Sequence, residues 1–70
     1  MLKRVNDCKK RCACYVDALT GQVEHEWKRV RTKTRIPIGG VYQIERDGTV
    51  TILRRISTEE FEIQSYEIAT

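Results

Sequence analysis

Four side chains in the first part of the chain have the chemistry to bind a metal. They are the three cysteines and the single histidine: Cys8, Cys12, Cys14 and His25. Structural zinc sites take four sulfur and imidazole ligands, so this set has the composition of a Cys₃His centre. Its spacing, C-x₃-C-x-C-x₁₀-H, departs from the C-x₂₋₄-C pairs that such sites use. Zinc is therefore the second hypothesis. The first is that Cys12 and Cys14 fill a core, that His25 is half-buried with a hydrogen-bonded ring, and that no cofactor is bound. In that case all three thiols should react slowly with thiol reagents until the protein unfolds.

The same thiols do not predict catalysis or a disulfide. Basic neighbours of Cys8 and Cys12 would lower a thiol pKa, but a catalytic cysteine also needs an orienting group and an oxyanion-stabilising element, and no glycine-rich element accompanies them. We predict that the protein is not an enzyme. The N-terminal residues lack the apolar segment of a signal peptide, which predicts a cytoplasmic location. In that reducing compartment an odd number of cysteines disfavours disulfides.

A basic run, KRVRTKTR, follows the only tryptophan. Its β-branched residues favour a strand, where alternate side chains share a face about 6.6 Å apart. This repeat resembles that of phosphates along a nucleic-acid strand, and a β-ribbon can also enter the major groove. We predict a nucleic-acid-binding surface, for DNA in preference to RNA, made by basic side chains and one stacking ring: Trp27, Lys28, Arg29, Arg31, Lys33 and Arg35. Longer-range attraction would come from Lys9, Lys10 and Arg11.

Strict alternation through this run creates a conflict. The core candidates Val23 and His25 are odd-numbered, and the same face would carry Arg29 and Arg31 into the core. Burying unpaired charges is prohibitive. We therefore expect either a bulge near residues 28–30 or a strand that extends past the core, and both alternatives leave the basic side chains in solvent.

The charge is divided unequally along the chain. Residues 1–37 contain ten basic and four acidic side chains, a balance of +6, whereas residues 38–70 contain three and six, a balance of −3. This asymmetry predicts one basic and one acidic surface. It supports nucleic acid as the partner and also leaves open a regulatory module that binds an acidic protein or forms a homo-oligomer through an edge strand. No apolar run approaches the ~18 residues that would span a membrane, so no membrane association is predicted.

A first hairpin is predicted within CACYVDALTGQVEHEW. Asp17 can accept backbone hydrogen bonds across the turn, and Gly21 can adopt the positive φ that closes it. A four-residue loop over residues 18–21 aligns three pairs on one face: Val16 with Val23, Cys14 with His25, and Cys12 with Trp27.

A second hairpin is predicted within VYQIERDGTVTILRRI. A two-residue turn at Asp47-Gly48 would place Ile44 opposite Thr51, an apolar residue opposite a polar one. A three-residue loop over residues 46–48, with Gly48 at positive φ, places four apolar side chains on one face. This second register is the predicted one, and it pairs Ile44 with Val50 and Tyr42 with Ile52.

The remaining segments complete a small all-β fold. The tail TEEFEIQSYEIAT reads as a last strand with a bulge near Ser65. Residues 2–12 keep helical spacing of their apolar positions, which predicts a short N-terminal helical turn. Seventy residues make one small domain over 1–70. We predict an antiparallel meander of four or five strands, as a small sheet or half-open barrel.

Overall fold

The computed structural model describes residues 2–68, and these form seven strands in two antiparallel sheets. The strands are β1 (Lys3–Asn6), β2 (Cys12–Asp17), β3 (Gln22–Trp27), β4 (Val30–Arg35), β5 (Val41–Arg46), β6 (Thr49–Arg55) and β7 (Phe61–Glu67). The sheet orders are β1-β2-β3-β4 and β5-β6-β7. The predicted all-β antiparallel fold is confirmed. The predicted N-terminal helical turn is wrong, because β1 pairs with β2 there.

The core lies between the two sheets. Seven buried side chains form it, from both sheets and the segment that joins them: Val5, Cys14, Val16, Val23, Ile36, Ile44 and Leu53. Tyr42 and Phe61 pack against this cluster with part of each ring exposed. The basic half of the chain forms the four-stranded sheet and the acidic half the three-stranded sheet, so the charge asymmetry of the sequence becomes a difference between two layers. No helix among residues 2–68 is long and apolar enough to cross a membrane.

The first hairpin has the predicted loop and register. Val16 pairs with Val23 and Asp17 with Gln22, which leaves the four residues 18–21 as the loop. Gly21 has φ +80° and its N–H donates to the Asp17 carbonyl at 2.8 Å. The β2–β3 pairing extends only to Tyr15 and Glu24, so the cross-strand positions predicted for Cys14 and Cys12 lie beyond the paired part.

The predicted register of the second hairpin is wrong. Ile44 pairs with Thr51, and the turn has two residues, Asp47 and Gly48, both at positive φ (49° and 79°). This is the geometry of a type I′ turn, whose twist matches that of the flanking strands. Thr51 is buried, and its hydroxyl satisfies its hydrogen bonding with Ser65 Oγ at 3.2 Å. The prediction counted only apolar residues as core residues, and it chose the wrong register because a buried, hydrogen-bonded threonine occupies a core position.

A bulge occurs in β2 and not in β7. The β1–β2 register shifts so that Val5 pairs with Cys14 and Asn6 with Cys12, which leaves Ala13 as an extra residue in β2. The β6–β7 register runs without interruption from Arg55 opposite Phe61 to Thr49 opposite Glu67. The bulge predicted near Ser65 is therefore wrong.

Two arginines hold the sheets together through loops. Arg11 donates to Asp7 Oδ2 at 3.1 Å and to Asp47 Oδ2 at 2.7 Å, so it joins the β1–β2 loop to the β5–β6 turn. Asp7 also accepts the N–H groups of Lys9 and Arg11. Burial raises the pKa of Asp7, but these hydrogen bonds and the Arg11 charge lower it further, and the net pKa lies below its usual value.

Arg55 makes the second connection, at the opposite end. Its guanidinium donates to three main-chain carbonyls: Ala18 at 3.0 Å, Leu19 at 2.8 Å and Ile36 at 3.0 Å. The residue is 8% exposed. The β2–β3 loop, the segment between the sheets and β6 are thereby held by one side chain.

Candidate functional site

The basic run forms a hairpin with β3 rather than a continuation of it. Lys28 and Arg29 have φ 51° and 68° and make a two-residue turn between Trp27 and Val30. The chain reverses at this turn, so the alternation that would have carried Arg29 and Arg31 into the core ends at Trp27. Neither the expected bulge nor an overlong strand is present in this segment. We call the β3–β4 hairpin, residues 22–35, the basic ribbon.

The strand β4 places alternate basic side chains on the outward face of the sheet. Its even positions pair with the core face of β3, since Thr34 lies opposite the fully buried Val23. The odd positions therefore point away from the core, and all three are exposed: Arg31, Lys33 and Arg35. Because β4 is an edge strand, this row is open to solvent along its length. Arg29 is in the turn and outside the row.

Two of the three outward cations face carboxylates on β3. Arg31 contacts Glu26 at 3.4 Å and Lys33 contacts Glu24 at 3.7 Å, as their cross-strand positions require. Exposed ion pairs of this kind contribute little stability, but each partly cancels the field of its cation. Arg35 is opposite Gln22, and no ion pair to Arg35 occurs among residues 2–68.

Trp27 does not belong to the same surface. It shares a face with the core side of β3, opposite to the outward row. The Arg46 guanidinium lies 4.4 Å from the centre of its ring, and the Lys28 ammonium lies 5.8 Å from it. Arg46 also donates to the Cys12 carbonyl at 2.6 Å. The indole thus already stacks with an arginine from the other sheet, and the structure does not bring it to the predicted phosphate contacts.

The three N-terminal basic residues all lie in the β1–β2 loop, but their surroundings differ. Lys9 and Lys10 are exposed there, and Lys10 has φ 65°. Arg11 is held by Asp7 and Asp47, and the hydrogen bond to Asp47 raises the pKa of Arg11. The two carboxylates partly offset the charge of Arg11, which weakens its contribution to the predicted long-range attraction.

The structure does not assemble the candidate zinc ligands. Cys8 is exposed in the β1–β2 loop, Cys12 is half-buried and Cys14 is buried, all as free thiols. No group of three or more potential ligands lies close enough to hold a metal within residues 2–68. The His25 ring instead bonds the Tyr42 hydroxyl at 2.9 Å, across the two sheets. This is the half-buried, hydrogen-bonded histidine of the first hypothesis.

The thiols differ in their surroundings. Burial, with a smaller contribution from Cys12, raises the pKa of Cys14 to about 12, so its reactive thiolate is scarce at neutral pH. Cys12 lies beside Tyr15, and the hydrogen bond between these side chains raises the pKa of the Tyr15 hydroxyl. The extra residue Ala13 separates Cys12 from the core-facing position that simple alternation predicted for it.

These environments predict a stepwise reaction with a thiol reagent. Cys8 should react quickly in the folded protein, because it is exposed, and Cys14 only upon unfolding. This replaces the expectation from sequence that all three thiols are slow. Stopped-flow absorbance with a chromogenic disulfide should resolve one fast thiol. Replacing Cys8→Ser should remove the fast phase, and a fast phase that persists in this variant would contradict the assignment.

Sequence reasoning missed the residues that modify this surface. Glu24 and Glu26 pair with the basic row, yet their partners follow only once the turn at residues 28–29 is known. With that turn, cross-strand pairing of opposite charges would have identified both ion pairs.

Comparison of the chain with protein families, with curated proteins and with solved structures finds no match.

Proposed function

We propose that the protein is a small nucleic-acid-binding module, with DNA preferred to RNA, that contacts phosphates through the basic ribbon. The observation that carries the proposal is the outward row of an exposed edge strand, extended by two cations in the adjoining turn: Lys28, Arg29, Arg31, Lys33 and Arg35. In an extended strand the row repeats about every 6.6 Å, and it lies in the layer built from the chain's basic half.

The shape of the ribbon favours duplex DNA. A two-stranded β-ribbon fits the major groove of B-form DNA, whereas the major groove of A-form RNA is deep and too narrow for side chains to read. The two glutamates on β3 would compete with phosphates for Arg31 and Lys33. Arg35 and the two turn residues have no such competitor, since no ion pair to Lys28, Arg29 or Arg35 occurs within the described part of the chain.

The test is a titration against duplex DNA, single-stranded DNA and RNA at several salt concentrations. With three or four phosphate contacts, the log–log slope of affinity against salt should be about −3 for duplex DNA. Replacing Arg31 and Lys33 together with alanine should reduce the slope by about two units and leave the melting temperature nearly unchanged, because exposed charges stabilise little. Absence of binding by the wild-type protein at low salt would overturn the proposal.

Single replacements provide matched controls. Arg35→Ala should lose about one unit of slope, whereas Arg54→Ala, which removes an exposed arginine from the other sheet, should leave the slope unchanged. Replacing Glu24 and Glu26 together with glutamine should tighten binding, because it releases the two cations and removes two negative charges. Equal effects of Arg35→Ala and Arg54→Ala would indicate a response to net charge alone and contradict a ribbon-specific site.

The second candidate is a regulatory module in which the same ribbon binds an acidic protein. The ion pairs with Glu24 and Glu26 favour it, because in them Arg31 and Lys33 already bind carboxylates of the same chain. A partner-specific complex that tolerates charge changes outside the ribbon would support it. For either function we propose that the protein has no catalytic activity and is located in the cytoplasm. The histidine bonds a tyrosine and not a thiol, and three free thiols suit a reducing compartment.

A further inference from the structure

The four edge strands of the two sheets differ in how well they are protected from pairing. β1 has four residues and a register shift, and β4 carries a row of three cations. Short strands, bulges, prolines and charged side chains, lysine above all, are the features that block edge-to-edge pairing. β5 has six residues, one fewer than β7, and the segment that leads into it contains Pro37. β7 is the longest edge, with seven residues and an uninterrupted register; its only charged residues are Glu62 and Glu67, and it has no lysine, arginine or proline.

The backbone groups that β7 leaves open can be identified from its hydrogen bonds. Ile68 N–H donates to the Gly48 carbonyl, and the Glu60 carbonyl accepts from Ile56 N–H. The even-numbered residues thus point toward β6. In an antiparallel ladder successive residues point to opposite sides, so the N–H and C=O groups that point outward belong to four residues: Phe61, Ile63, Ser65 and Glu67.

We propose that two copies of this chain pair through β7 in antiparallel orientation, about a two-fold axis at Gln64. This register places Phe61 opposite the partner's Glu67 and Ile63 opposite the partner's Ser65. All four outward residues then form hydrogen-bonded pairs, whereas an axis at Ile63 or Ser65 leaves at least one of them without a partner inside the strand. The result is a continuous six-stranded sheet with closed symmetry.

The side chains are compatible with this register. No glutamate lies directly opposite another, because Glu62 faces the partner's Tyr66 and Glu67 faces the partner's Phe61. The two Gln64 side chains meet at the axis, where their amides can bond each other. Exposed apolar area on Ile63 and Tyr66, which are 42% and 51% exposed, would be covered in part.

The groove beside β7 contains two cations that a carboxylate of the partner strand can approach. It has a volume of about 370 Å³, and Val5, Phe61 and Ile63 contribute apolar lining. Its wall on the side of β1 and β2 carries Lys3, Arg4 and Asp17, while Glu59 and Glu60 line it on the β7 side. The partner's Glu67 enters beside Phe61, on the face directed to the other sheet, and so approaches the side of the groove that carries Lys3 and Arg4. The two-fold axis repeats this contact.

Sedimentation equilibrium over a range of concentrations tests the proposal. The wild-type chain should approach twice its mass of 8.2 kDa, whereas Ile63→Lys should remain a monomer, because a lysine at an edge blocks pairing. Val41→Lys is the matched control, an exposed aliphatic residue on the edge strand β5, and should leave the dimer intact. A monomeric wild-type chain, or equal behaviour of the two variants, would overturn the proposal.

A disulfide across the axis tests the register itself. Gln64 faces its own copy as a non-hydrogen-bonded pair, where Cα atoms lie about 4.5 Å apart, within the range that a disulfide spans. In a Cys8→Ser background, Gln64→Cys should form a cross-linked dimer on mild oxidation. Gln43→Cys on β5 should not. Cross-linking of Gln43→Cys, or none at position 64, would overturn the Gln64 axis. The outcome is independent of nucleic-acid binding, since β4 takes no part in the pairing.

Discussion

Replacing Arg55 with methionine is expected to lower the free energy of unfolding by about 3 kcal/mol, because one buried and two partly buried carbonyls lose their donor, and a buried polar group without a partner costs about 1–3 kcal/mol. The arginine donates to three main-chain carbonyls, from Ala18, Leu19 and Ile36. Methionine fills similar space but donates nothing. For a chain of this length the total stability is roughly 4–10 kcal/mol, so the loss is a large share of it. Thermal denaturation should show the melting temperature falling by about 12 °C or more.

The neighbouring residue provides the control. Arg54 is exposed on the same strand, so Arg54→Met removes the same charge and should change the free energy of unfolding by no more than about 0.5 kcal/mol. The comparison separates the carbonyl contacts from a general effect of net charge. Equal melting temperatures for the two variants would contradict the role assigned to Arg55.

Replacing Gly21 with alanine is expected to have a still larger effect. A Cβ there would collide with the Ile36 carbonyl oxygen and lie 2.7 Å from the Arg55 guanidinium. Both neighbours are held in place, since Arg55 donates to that carbonyl. To the collision is added the cost of φ +80° for a residue with a side chain, about 1 kcal/mol. We expect a loss of more than about 4 kcal/mol, seen as a largely unfolded variant by circular dichroism.

Gly48 isolates the backbone contribution. It has φ +79°, and no atom lies within 4 Å of the position that its Cβ would occupy. Gly48→Ala should therefore cost only the conformational strain of about 1 kcal/mol, with a somewhat greater cost for a β-branched residue. Urea denaturation of the two variants measures the difference. A Gly21→Ala variant as stable as Gly48→Ala would show that the β2–β3 loop can move away from Ile36.

The sequence by itself determined the elements whose signals are local. Turn residues with special backbone preferences marked the β2–β3 loop, where Asp17 accepts the amide hydrogen bonds and Gly21 adopts the positive φ. Alternation of apolar residues then paired Val16 with Val23 correctly. The same two signals predicted an antiparallel all-β chain, and the charge counts of its halves anticipated a basic and an acidic layer. Each of these inferences depends on neighbours in the chain.

Only the tertiary structure decided which side chains the core accepts and where the chain reverses. Lys28 and Arg29 form a type I′ turn without glycine or asparagine, so no turn residue marks it; the β3–β4 pairing that follows stabilises it. Thr51 enters the core because Ser65, on β7, bonds its hydroxyl. Arg55 is buried because three carbonyls from distant segments converge on it. In each case the stabilising partner lies on another strand or loop, and the cost of an unusual residue or conformation is offset by contacts that a local pattern does not contain.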